Sequence, residues 1–367
     1  MFHKRLRLPK VLVDAVPGRR EVAERRGRDL DFTHEDASPF LEPSFYNLHP
    51  LFGIFGTGRS GTTWLGSIVD SHPEVAYRFE PFHRLRKPLQ GIRRDFDQGA
   101  GSRTTLDQLY RVLLAADPRV LRAPFYPKDN CPSLGRETTW AMARSWSGLR
   151  FLHRRLYTPR FGAPLVFKDV TLESLMVRMV SDGGLRTVYL IRHPCGVVSS
   201  LLKGQARGLM PSGRRQYLHV RLREDAPELW ERVAHRVGDL SPAEQEALLW
   251  RLDVQPALEL AITDPRVTLV VYEDLCRRPK EIASEVFEHF DLSLTEQSER
   301  AIEQMTSGDE EQRADKWSDR YFTVFRDPAA ASSRWRTELA AEDQRAVISL
   351  VEDMPAFRHA RELGHWE

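Results

Sequence analysis

Five short apolar runs, each separated from the next by segments of helical spacing, constrain this chain more than any other feature. They are LFGIF (51–55), Val75–Phe79, PLVFKD (164–169), RTVYLI (186–191) and VTLVVY (267–272). Runs of five or six residues that are apolar nearly throughout, rather than alternating, read as strands buried on both faces. Helical spacing follows each of them. Trp64, Leu65, Ile68 and Val69 mark one helix, and Leu172–Val180, Cys195–Gln205, 242–263, 279–290 and 294–306 mark others. Further helices are expected near Leu106–Ala116, 138–157 and 341–353. Strand-helix alternation predicts an α/β protein of three layers. A central, mostly parallel sheet of about five strands lies between helices, with functional residues at the strands' carboxyl ends.

Two stretches interrupt the alternation. Segment 84–163 is heterogeneous, with a basic run (Arg84, Arg86, Lys87, Arg93, Arg94) and a Pro-rich loop (118–132). Segment 206–240 is polar and rich in Arg, Gly and Pro. Both read as insertions into a single domain spanning 49–367. Residues 1–48 are polar, Arg-rich and without period, and read as an N-terminal arm. A chain of 367 residues can bury about three quarters of its unfolded surface and needs no staples.

Charge narrows the function. Lys plus Arg is 54 against 52 Asp plus Glu, a balance of +2 that excludes a general nucleic-acid binder. Only eight of those cations are Lys, which leaves 46 Arg, planar forks suited to phosphate and sulfate. Cys131, Cys195 and Cys276 have neither metal-ligand nor redox spacing, as suits a reducing cytoplasm. No run approaches the ~20 apolar residues that span a bilayer, and the N-terminus lacks the apolar core of a signal peptide. The sequence does not decide the oligomeric state.

The first strand runs into Gly56-Thr57-Gly58-Arg59-Ser60-Gly61-Thr62-Thr63. The glycine spacing is that of a phosphate-binding loop, in the required strand-loop-helix context. Backbone N–H groups and a helix N-terminus would cradle an anion there. A kinase or ATPase places Lys after the second Gly. Here that position is Thr62, and the cation stands three residues earlier as Arg59.

GTGRSGTTWL resembles the 5′-phosphosulfate loop of sulfotransferases that use 3′-phosphoadenosine 5′-phosphosulfate (PAPS). YLIRHPCGVVSSLL (189–202) is similar to their 3′-phosphate motif, with Arg192 as the guanidinium and Ser200 as the hydroxyl. His193 replaces the family's Asp. In motif style the chain looks closest to carbohydrate and protein-tyrosine sulfotransferases, as a soluble bacterial-type member. The resemblance implies a P-loop-type fold with PAPS as donor, PAP as product and no required metal. It implies that Gly58, Arg59, Ser60, Gly61, Thr62 and Thr63 hold the phosphosulfate, and Arg192 and Ser200 the 3′-phosphate. The donor's anionic groups would then lie at two separated places. Trp64 looks like the family's adenine-stacking Trp, with core packing as the alternative. FRDPAAASSRWRTEL (325–339) resembles a loop closing over the 3′-phosphate, with Arg326 as its cation and Ser333, Arg334 and Arg336 behind it. The family's Gly is missing there.

Sulfuryl transfer needs a base for the acceptor's proton and cations for the leaving oxygen. Glu80 ends the second strand before Pro81 and resembles the family's base Glu, with His83 as its rival. Lys168 closes PLVFKD and resembles the Lys that contacts the transferring sulfate, unless it pairs with Asp169. VTLVVYEDL matches a family strand whose Glu273 and Asp274 look structural, although an ATPase would use them on magnesium. The acceptor, a glycan, glycolipid or small metabolite, would meet the two insertions. Trp140, Trp146, Phe125 and Tyr126 offer aromatic faces there, or core. Two other readings stay open: a magnesium-dependent P-loop kinase or ATPase, and a non-catalytic nucleotide or glycan binder.

Overall fold

The computed structural model describes residues 50–307, 328–362 and 364–366. Its centre is a sheet of five strands: β1 (Leu51–Phe55), β2 (Ala76–Phe79), β3 (Leu165–Lys168), β4 (Arg186–Ile191) and β5 (Val267–Val271). Their order is β2-β3-β1-β4-β5, and every pairing is parallel. The chain builds β2 and β3 on one side of β1, then crosses to build β4 and β5 on the other. Such a reversal opens a crevice beyond the strands' carboxyl ends.

The helices are α1 (Thr62–Asp70), α2 (Pro81–Arg84), α3 (Arg86–Asp97), α4 (Arg103–Leu114), α5 (Arg136–Ser145), α6 (Ser147–Tyr157) and α7 (Glu173–Ser181). They continue with α8 (Pro194–Ala206), α9 (Leu218–Asp225), α10 (Pro227–Val233), α11 (Pro242–Thr263), α12 (Tyr272–Arg277), α13 (Pro279–His289) and α14 (Glu296–Thr306). Period-two alternation along the strands feeds two cores. Leu51, Phe55, Phe167 and Tyr189 join the apolar stripes of α3, α4, α7, α8 and α11. Phe52, Ile54, Val166 and Leu190 join α1, α13 and α14 on the opposite face. Both faces are therefore dry, as the continuous apolar runs require. The longest helix, α11, begins with a capping box: Glu244 N–H donates to Ser241 Oγ, and Ser241 N–H to Glu244 Oε2.

One expectation needs correction, and two stretches gain helices that the sequence left unassigned. The helix expected over 138–157 is two, because Trp146 is extended (φ −125°, ψ 118°) and the weak helix formers Ser147 and Gly148 follow. The basic run from Arg86 onward lies on α3, which buries Leu89, Ile92 and Phe96 and exposes Arg86, Lys87, Arg93 and Arg94. Segment 206–240 likewise contains α9 and α10. Their buried pairs Leu218/Leu222 and Leu229/Val233 sit at i,i+4 spacing within a polar sequence.

Candidate active site

The site begins where β1 meets α1. Gly61 holds φ 101°, and a Cβ there would lie 2.4 Å from the Tyr272 ring. A Cβ on Gly56 would lie 2.5 Å from the Leu190 carbonyl oxygen. Only glycine fits either place, so the loop is pressed onto β4 and α12. Ser60 Oγ donates to the Thr57 carbonyl at 2.8 Å and tightens the turn. Trp64, on the first turn of α1, is buried edge-on to Tyr272 with ring centroids 6.1 Å apart, and it lines the site cavity.

Arg59 has φ 72°, a left-handed backbone uncommon for a residue with a side chain. Its Nε donates to Ser200 Oγ at 2.9 Å, and its carbonyl accepts from Arg192 Nη1 at 3.1 Å. The loop and the Arg192/Ser200 motif are thus in direct contact in this structure. Arg192 stacks over Tyr272, 4.5 Å from the ring centroid, and Nη2 donates to the Ala331 carbonyl at 2.9 Å. Arg192 Nε and Thr57 Oγ1 are buried without a hydrogen-bond partner among the described residues. A buried guanidinium nitrogen left unsatisfied is costly, and an anion beside it would relieve that cost. A donor with phosphate and sulfate groups fits these residues.

His193, which stands where the family has Asp, caps a helix. Its Nδ1 accepts from Cys195 N–H at 3.1 Å and caps α8. Its ring stacks on Trp335 at 4.3 Å. Burial, aided by Arg336 and Arg192, lowers its pKa to about 3, so the capping nitrogen stays unprotonated. Its N–H donates to Glu273 Oε1 at 3.1 Å, and Trp366 Nε1 donates to Glu273 Oε2 at 2.9 Å. Asp274 is engaged by Arg277 and His365. These contacts give Glu273 and Asp274 structural partners. Arg326 lies outside the described residues, and Arg334 is the N-cap residue of the short helix Trp335–Glu338.

The second half of the site lies where β2 and β3 end. Phe79 is in register with Lys168, and Glu80 N–H donates to the Lys168 carbonyl at 2.7 Å. Lys168 Nζ donates to Glu80 Oε1 at 2.7 Å and sits 4.7 Å from the centroid of the Phe79 ring. The Lys168 side chain is 1% exposed and that of Glu80 21%. Burial alone would raise the Glu80 pKa. The charge and hydrogen bond of Lys168, with Arg84 and His83 further out, overcome it and hold the carboxyl below its ordinary value.

Lys168 therefore does not pair with Asp169. Successive side chains on a strand point to opposite faces. Asp169, fully buried, accepts from Phe82 N–H at 2.8 Å, Val170 N–H at 3.0 Å and His83 Nδ1 at 2.6 Å. The hydrogen bond to Asp169 raises the His83 pKa above its ordinary value, against the opposing effect of burial.

Both halves open into one cavity of about 970 Å³. Its lining includes the loop, Trp64, Arg192 and Tyr272, together with Glu80, His83, Lys168 and Thr171. Arg84, Arg93, Arg122, Arg144 and Trp140 also line it, as do Arg214, Glu246, Trp250 and Asp253. Arg214 and Arg221 both donate to Asp253, and Gln205 donates to Glu246, which tie residues 205–221 to α11. Trp140 also packs on Phe125 and donates to the Pro118 carbonyl, so it is a core residue that shows an edge to the site. Tyr126 packs beside the second core, and Trp146 is exposed. Sequence reasoning missed Thr171, Arg122, Arg144 and Arg214. It saw Asp169 only as a partner of Lys168. The Lys-Asp dipeptide marks Asp169, but no spacing rule reaches across the insertions to the three arginines.

Fold and site together define an α/β protein with a glycine loop and arginines beyond the ends of β1 and β4, in one cavity with a carboxylate–ammonium pair. The Sulfotransferase family matches residues 50–296, all five strands included, and this chain belongs to that family. It is an enzyme of sulfuryl transfer. Carbohydrate sulfotransferase 1 from Rattus norvegicus is 24% identical over 347 residues, covering 81% of this chain and 77% of the relative. Carbohydrate sulfotransferase 2 from Homo sapiens is 24% identical over 355 residues, covering 81% and 62%. Among solved structures, mouse sulfotransferase SULT7A1 complexed with PAP is similar at a TM-score of 0.44 and 11% identity, over 87% of this chain and 90% of that one.

Proposed function

We propose that this enzyme moves a sulfuryl group from PAPS to a hydroxyl of a carbohydrate, glycolipid or related metabolite, with Glu80 as general base. The observation that carries the reading is the 2.7 Å Glu80–Lys168 pair, set in one cavity with the phosphate-type loop and Arg192. The donor supplies a sulfuryl unit on a phosphate oxygen. The bond from sulfur to that oxygen breaks and leaves its electron pair there. A bond from sulfur to the acceptor oxygen forms, and the acceptor's proton goes to Glu80. Lys168, the loop amides and Arg59 stabilise the charge on the leaving oxygen. Arg192 and Ser200 bind the 3′-phosphate, and Trp64 offers a face to the adenine. Arg59, Arg192 and Lys168 are fixed cations, so the reading requires no metal.

The pair has a built-in logic. While Lys168 is held by Glu80, the carboxylate is a weak base. A negative oxygen that draws Lys168 away removes that restraint, and Glu80 becomes the stronger base when a donor is present. His83 is a second reading for the base, favoured by its 2.6 Å contact with buried Asp169, the arrangement that orients an imidazole for proton transfer. The reducing cytoplasm is the proposed setting, supported by the spacing of Cys131, Cys195 and Cys276, which suits neither a metal site nor a redox pair.

Incubation with sulfur-labelled PAPS and a panel of saccharides and glycolipids tests the reading, and a labelled product is expected. Glu80→Gln should bind PAP as before and turn over at least ~100-fold more slowly. Transfer that requires magnesium and uses ATP would instead establish the kinase reading. Donor binding with no product across the panel would establish a binding protein.

A further inference from the structure

The chain exposes nine large apolar side chains among the described residues, and seven of them fall between residues 134 and 161. Five belong to the α5–α6 hairpin: Met142, Trp146, Phe151, Leu152 and Leu156, with Trp146 67% and Phe151 76% exposed. Isolated exposed leucines need no explanation, but a concentration of this kind does. The hairpin is not loose. Trp140, His153 and Tyr157 are buried beneath it and bond to the carbonyls of Pro118, Ala116 and Leu134. Its inner face is fixed, and the apolar residues stand on its outer side by construction. Leu152 and Leu156 share one stripe at i,i+4, and Trp146 occupies the bend between the helices.

Charge identifies the occupant. The hairpin and the segment after it, residues 136–163, contain six Arg and a single carboxylate, Glu137. Arg154 is engaged by Asp117, while Arg155 and Arg160 are exposed. We infer that the α5–α6 hairpin docks the enzyme on an anionic phospholipid bilayer. Trp146 and Phe151 enter the interface between headgroups and acyl chains, and the arginines lie along the phosphates. A second copy fits poorly, because a two-fold interface would set these arginines against themselves. Residues 1–48 carry nine Lys and Arg against eight Asp and Glu, and so bring no net negative charge to the patch. The same hairpin supplies Trp140 and Arg144 to the cavity wall, so a docked bilayer lies beside the acceptor entrance.

The test is sedimentation of the full-length protein with vesicles of phosphatidylcholine alone, or of phosphatidylcholine mixed with phosphatidylglycerol. The protein should bind the mixed vesicles and be released by high salt. Trp146→Ser and Phe151→Ser should each weaken partition about tenfold. Arg155→Gln should weaken it about fivefold. Tyr217→Ser, exposed elsewhere, should leave it unchanged. Absence of binding to the mixed vesicles overturns the inference. Light scattering that finds a lipid-free dimer, dissociated by Trp146→Ser, assigns the face to a second copy and overturns it too.

Discussion

Glu80 and His83 are three residues apart and hold their protons in different pH ranges. Lys168 favours the carboxylate and holds the Glu80 pKa below its ordinary value, and Asp169 favours the imidazolium and holds the His83 pKa above its own. A base must be unprotonated to act. With Glu80 as base, kcat/KM stays level from neutral pH down to the acid limb of a carboxylate. With His83 as base, it falls as pH drops through the raised pKa of that imidazole. A profile of kcat/KM against pH decides between them, and the level profile is expected. The same pKa shift has a stability sign. The Glu80–Lys168 contact stabilises the fold above pH 4.5 and is lost as pH falls through the depressed value. Arg192 gives a second expectation. Arg192→Ala should weaken PAP binding, measured by calorimetry, by at least ~10-fold, the scale of one charge-assisted hydrogen bond. Glu80, Lys168 and Arg192 were legible because each closes an apolar run, and a strand's carboxyl end is where an α/β fold presents chemistry. Asp169 was half legible. Its position was plain, but the partner depended on which face of the strand it takes and on where α2 turns back.

Among the elements, α8 shows how a departure from a motif can preserve its physics. An Asp would cap this helix with a carboxylate; His193 caps it with an uncharged imidazole nitrogen flanked by Trp335. His193→Ala should cost about 1 kcal/mol of unfolding free energy, the usual worth of an N-cap, and urea denaturation reads it. PAP binding should change little, since Arg192 keeps its contacts with Tyr272, Arg59 and Ala331. The strands were readable to within a residue or two because buried parallel strands advertise themselves as unbroken apolar runs. α9 and α10 were not. Each needs only two buried residues one turn apart, a signal too short to stand out against arginines and glycines. The break at Trp146 was hidden for the opposite reason, since the helical pattern continues on both sides of a single extended residue.

At the scale of the whole molecule, a balance of +2 conceals a strongly uneven distribution. Cations gather at the loop, in the cavity and on the α5–α6 hairpin, and carboxylates elsewhere compensate them. That unevenness was invisible in composition, and it appears only once the fold brings distant segments together. Backbone geometry is uneven in the same way. The described residues include four non-glycine positions with positive φ, and three of them, Arg59, Glu80 and Thr171, line the cavity. Strain of about 1–3 kcal/mol at each is tolerated because the surrounding structure enforces it. Thr171, β-branched with φ 56°, is the most costly in kind. Thr171→Asn, which suits that backbone better, should raise the melting temperature and lower turnover; calorimetry and a rate assay check the pair. Heat resistance and activity would then pull this sequence in opposite directions at the same three positions. A library screened only for survival at high temperature would return folded proteins with damaged sites. The catalytic geometry persists only under selection that asks for sulfated product.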